Sequence, residues 1–155
     1  MPPDARTATT QTVLITGASS GIGRATAQRF ARRGARLVLV ARGRPALEET
    51  ASEVRAAGAA DVLVCPADVT DEAALRTVVE TAVGRFGGLD VVVHAAQVMA
   101  YGRIEEVPRE VFDTVVRTGV LGTANLAQLV LPVFRRQEQG HLVVVSSLLA
   151  SVTAP

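Results

Sequence analysis

The chain has 155 residues, with 16 basic and 15 acidic side chains, a net charge of +1 and 48% hydrophobic residues. That length suits one domain with a core of its own, and a charge so near zero argues against nucleic acid or an anionic membrane surface as the main partner. A single cysteine excludes a disulfide framework and a thiolate cluster, so no metal site is expected, and with 3% aromatic residues the core must come from Val, Leu, Ile and Ala.

Residues 1–11 are polar, carry Asp4 and Arg6 and lack an apolar run, which predicts a flexible tail ahead of a single domain over 12–155. No apolar stretch approaches the length of a membrane span, and a cytoplasmic protein is expected. The first strand, Thr12–Thr16, runs straight into a glycine-rich turn and a helix over 21–33. A strand, such a turn and a helix N-terminus together aim backbone N–H groups at an anion. Glycines suit the turn because a pyrophosphate approaches the backbone more closely than a Cβ allows. Their spacing, Gly17, Gly21 and Gly23, is G-x-x-x-G-x-G rather than the commoner G-x-G-x-x-G. The Ile22 amide lies at the helix start, and the hydroxyls of Ser19 and Ser20 suit either a phosphate or an N-cap.

The second strand, Arg36–Ala41, ends beside Arg42. A carboxylate near this point would accept from a ribose diol, whereas a guanidinium pairs bidentately with a 2′-phosphate, with Arg44 placed to assist. NADP is therefore expected over NAD; the other reading of Arg42 is a solvated loop charge. Pro45 marks the start of a helix over 45–57, and Gly34 and Gly58 sit where helices stop. In the third run, 61–65, Cys65 is expected to be buried, reduced and inert. Asp71 and Glu72 open a helix over 71–86, for which Asp68 is also a candidate cap. A fourth strand is predicted over 89–95, a long helix over 109–134 and a fifth strand over 141–146. Such alternation requires parallel strands joined by right-handed crossovers. It predicts an α/β, Rossmann-like doubly wound sheet of order 3-2-1-4-5, with its crevice at the carboxyl ends of strands one and four.

Thr16-Gly17 with Gly21 and Gly23, the pair Asp68-Val69, and Ser147 after Val145-Ser146 resemble the short-chain dehydrogenase/reductase family in its compact branch, over about residues 12–147. The resemblance implies hydride transfer between a nicotinamide cofactor and a carbonyl or secondary alcohol carbon of a small-molecule substrate. It places the cofactor against Gly17, Ser19, Ser20, Gly21, Ile22, Gly23, Arg42, Ala95 and Ala96, with Asp68 and Val69 on the adenine. Ser147 becomes the residue that orients substrate. Two motifs depart from the family. Its Asn-Asn-Ala-Gly turn reads His94-Ala95-Ala96-Gln97, where His94 is expected to be a hydrogen-bonded core residue. Its helical Asn falls at Gly119, and Asn125 comes too late along the helix to replace it.

The family's catalytic Tyr and Lys have no counterpart, because the chain contains no lysine and its one tyrosine, Tyr101, lies in a loop. By resemblance the Tyr would fall beyond Pro155. The chain thus reads as an N-terminal portion truncated after the fifth strand, which leaves that strand as an open edge and Val111, Val115, Leu126 and Leu129 without cover. In complete form the resemblance implies a homo-oligomer. The alternative is a non-catalytic relative that holds NADP(H) or pairs with a partner through its edge.

Overall fold

Aliphatic runs without polar alternation belong to strands covered on both faces, and all five positions of β1 (Thr12–Thr16) are buried. A computed structural model describes residues 10–147 of the chain. After β1 come α1 (Gly21–Ala31), β2 (Arg36–Ala41), α2 (Arg44–Ala56), β3 (Asp61–Pro66), α3 (Glu72–Phe86) and β4 (Val91–His94). A short 3-10 turn (Ile104–Glu106), α4 (Arg109–Val116), a π turn (Arg117–Leu121), α5 (Gly122–Gln137) and β5 (His141–Val144) complete the order. The five strands form one parallel sheet, β3-β2-β1-β4-β5. The winding reverses between β1 and β4, as expected from the sequence.

Strand side chains alternate between the two faces. Leu14, Val38, Val40 and Val92 join a core with Leu75, Val79, Leu126 and Val130 of α3 and α5. Val13, Ile15, Leu37, Leu39 and Val93 face Ala27, Leu47 and Val54 of α1 and α2. Among the described residues no helix is long and apolar enough to cross a membrane.

Several boundaries differ from expectation for identifiable reasons. The fourth strand begins at Val91, not at 89, because a side chain serves both backbone groups of Leu89. The Asp90 carboxylate accepts the Thr12 N–H at 2.7 Å, while Gln137 accepts from the Leu89 N–H at 3.0 Å and donates to its carbonyl at 2.7 Å. The N-cap of α3 is Asp71, whose carboxylate accepts the Ala74 N–H at 2.9 Å, so Asp68 does not cap that helix. The helix expected over 109–134 is interrupted by the π turn, closed by the Gly122 N–H on the Arg117 carbonyl. Of the four apolar positions expected to lack cover, Leu126 is fully buried in the core and Leu129 packs against it, while Val111 is exposed. Cys65 is only partly buried, and burial pushes its thiol pKa up.

Between α1 and α2, Glu53 receives the Arg24 guanidinium and the Gln28 amide, the latter at 2.8 Å. These bonds, Arg24's first, hold its carboxyl at about 2, against an ordinary 4.5. A depressed carboxylate adds stability above its unfolded pKa and loses it as pH falls through the folded one. Glu53→Gln is therefore expected to lower the melting temperature at neutral pH. The gap from the parent should shrink as pH is taken from about 4.5 towards about 2 in paired thermal melts.

Candidate functional site

The site begins where β1 turns into α1. Gly17 has φ +67°, and a Cβ there would lie 2.7 Å from the Ala95 carbonyl oxygen. A Cβ on Gly23 would lie 2.2 Å from the Gly17 carbonyl oxygen. The first turn of α1, the glycine turn and the turn after β4 thus meet backbone to backbone, which only glycine permits. The Ala18 N–H, bonded to the Val40 carbonyl at 3.1 Å, fastens the turn to β2. Ser20 is the N-cap of α1, yet its side chain makes no capping bond. The amides of that first turn have no side-chain acceptor from the cap and are available to an anion.

A cleft of about 580 Å³ opens above the carboxyl ends of β1 to β4, within the roughly 300–1,000 Å³ common for small-molecule sites. Of the residues singled out in the sequence, Gly17, Ser19, Ser20, Gly21 and Ile22 line it on one side and Arg42 on another. Asp68, Val69, Ala95 and Ala96 complete the set brought together there. Gly23 is buried under the turn instead. Ser147, exposed just past β5, is not in the cleft wall.

Asp68 accepts both the N–H and the hydroxyl of Thr70 at 2.8 Å. The Thr70 amide bond is the largest cause holding its carboxyl below the ordinary range, and the cations of Arg42 and Arg117 add to it. The side chain therefore stays ionised and fixed at the mouth of the loop after β3.

Gln97, Val98 and Met99, from the turn after β4 and the loop that follows it, also line the cleft, together with Thr118 and Val145, which sequence reasoning missed. Gln97 donates to the Val145 carbonyl at 2.7 Å and so ties the turn after β4 to the end of β5. Its departure from the family's turn was the available signal. Thr118 enters the wall from the π turn, which the helical period did not reveal. Gly119 offers no side chain there, and its carbonyl accepts the Thr123 hydroxyl at 2.6 Å. Asn125 is directed elsewhere: it donates to the Val69 carbonyl at 3.1 Å. Gly122 presses on the same residue, since a Cβ there would meet the Val69 side chain at 2.6 Å. Helix α5 thereby fixes the loop that carries Asp68 and Val69.

His94 is buried and its Nδ1 lies 2.8 Å from the Thr16 hydroxyl, as expected of a bonded core histidine. Burial pushes its pKa down. Tyr101 is 84% exposed and its hydroxyl points to the Met99 sulfur, so it belongs to the loop surface.

The short chain dehydrogenase model matches residues 11–155. The chain belongs to the short chain dehydrogenase family. It is 40% identical to 11-beta-hydroxysteroid dehydrogenase A of Sesamum indicum over 140 residues, which is 87% of this chain and 39% of that protein. Among solved structures, NAD+-bound xylitol dehydrogenase superposes with a TM-score of 0.88 at 29% identity, covering 94% of this chain and 56% of the other. A 3-ketoacyl-ACP reductase from Sinorhizobium meliloti gives 0.81 at 36% identity, covering 88% and 53%. The chain thus spans 39% of the plant relative and little more than half of the other two.

Proposed function

We propose that this chain is the nucleotide-binding part of an NADP-dependent oxidoreductase that transfers hydride between the nicotinamide and a carbonyl or secondary alcohol carbon. The observation that carries this reading is the cleft with glycine backbone on its floor and Arg42, following Ala41, on its rim where a carboxylate would select NAD. The residues present fit a dinucleotide. Methyl groups at Gly17 and Gly23 would collide with the backbone that shapes the cradle, and no side-chain cap competes for the first amides of α1.

In this reading Gly17, Ser19, Ser20, Gly21 and Ile22 hold the pyrophosphate, and Arg42 with Arg44 the 2′-phosphate. Asp68 and the Val69 amide take the adenine edge, Ala95 and Ala96 run along the ribose, and Ser147 orients the substrate oxygen. The nicotinamide, when bound, supplies or accepts the hydride. Proton transfer at the oxygen needs a group this chain lacks, since it contains no lysine and Tyr101 lies on the loop surface. We assign that role to sequence outside these 155 residues. A reducing compartment suits the lone thiol, and we place the protein in the cytoplasm.

Titrating the full-length protein with NADPH and NADH, followed by nicotinamide fluorescence, tests the cofactor assignment. Tighter binding of NADPH is expected; equal affinities overturn it. The absence of a Tyr–Lys pair favours one second reading, a non-catalytic NADP(H) holder. Tight NADPH binding without turnover across a panel of ketones and aldehydes would establish that reading.

A further inference from the structure

The carboxyl edge of the sheet buries a hydrogen-bond chain that the nucleotide contacts do not account for. Thr16 ends β1, His94 ends β4, and the two are partners in register. Both are buried, at 0% and 2% exposure. The Thr16 hydroxyl oxygen accepts the Ala96 N–H at 3.3 Å and lies 2.8 Å from His94 Nδ1. A hydroxyl has one proton to give. The oxygen has two lone pairs, so beside the amide it can either donate to Nδ1 or accept a hydrogen from it, and the two groups stay bonded in both neutral tautomers. Burial disfavours the charged imidazolium and keeps the ring neutral.

Nε2 is buried and has no hydrogen-bond partner among the described residues. A buried polar atom without a partner costs free energy, so a ring retained only for packing would be better replaced by an apolar side chain. What the imidazole contributes is its bond at Nδ1. That bond orients the Thr16 hydroxyl so that its oxygen faces Ala96. The Ala95–Ala96 turn is the element that Gly17 meets so closely: a Cβ on Gly17 would sit 2.8 Å from the Ala96 nitrogen. A displacement of a few tenths of an ångström there moves one wall of the cleft against the glycine turn.

We infer that His94 is a positioning residue for the nucleotide, acting through Thr16 on the Ala95–Ala96 turn. The inference rests on the cofactor reading above. It is tested in the full-length protein with His94→Leu, which keeps the bulk and removes the nitrogen bonded to Thr16, Thr16→Val, which removes the hydroxyl, and His94→Asn, which restores a polar group able to donate or accept. NADPH affinity is measured by fluorescence titration beside the melting temperature of each variant.

His94→Leu and Thr16→Val are expected to bind NADPH about tenfold more weakly, the effect of one lost orienting bond. His94→Asn should recover most of that loss. His94→Leu, free of the unpartnered ring nitrogen, should melt no lower than the parent. A purely structural role would move the melting temperature and leave affinity alone. Unchanged affinity in His94→Leu, or an Asn variant as weak as the Leu variant, would overturn the inference. If the unmodified protein binds neither NADPH nor NADH, the cofactor reading falls and this one with it. If it binds NADPH and His94→Leu binds equally well, this inference falls alone.

Discussion

Gly23→Ala is expected to reduce NADPH binding by more than about a hundredfold, because shifts near an ångström at a positioning element carry penalties of that size. The added methyl would lie 2.2 Å from the carbonyl oxygen and 2.6 Å from the carbonyl carbon of Gly17, and 3.1 Å from the Ala18 nitrogen. All three atoms are backbone and cannot rotate away as a side chain would. Relief requires α1 to move bodily off the glycine turn, carrying with it the amides that would meet the pyrophosphate. Overpacking of this kind also lowers stability by about 1–3 kcal/mol, read as a fall of several degrees in melting temperature. Gly84→Ala is the matched control. Its Cβ would meet nothing within 4 Å in the middle of α3, so it should gain about 0.4–1 kcal/mol and leave binding unchanged. A Gly23→Ala protein that binds NADPH normally would refute the role given to the turn.

Arg42→Ala should weaken NADPH about ten- to a hundredfold while leaving NADH nearly untouched, because a charge-assisted bond to phosphate is worth about 1.5–3 kcal/mol. Arg42 is exposed at the rim beside Gly43 and has no ion-pair partner among the described residues. Its removal breaks no ion pair among the described residues and takes from Asp68 only one of its two neighbouring cations, Arg117 remaining. The NADPH preference should also fall with added salt, as expected of a surface charge pair. Parallel loss of both nucleotides would mean that Arg42 supports the loop and does not read the 2′-phosphate.

The sheet and its order were legible because buried parallel strands announce themselves as unbroken aliphatic runs, and helix stops as glycines. Strand ends were not, where side chains replaced ladder bonds: Asp90 serves the Thr12 N–H and Gln137 both backbone groups of Leu89, which no periodicity encodes. The part of the site nearest the strands was legible for a topological reason, since residues that follow β1 to β4 must gather at one edge. Thr118 and Val145 escaped because they reach the cleft through tertiary packing and an irregular helix. Asp68 and Asp71 were equivalent as caps on paper, and only the bonds to Thr70 and Ala74 separate them.

The π turn at Arg117–Leu121 sets phase as well as shape. One residue beyond the α repeat turns everything before it by roughly 100° relative to everything after. The apolar stripe of α5, with Leu126, Val130 and Val133 in the core, is thus out of step with that of α4, whose Val111, Phe112 and Val116 stay exposed. The length of this segment is an angular setting: losing one residue would turn Thr118 away from the cleft and hardly shorten the helix.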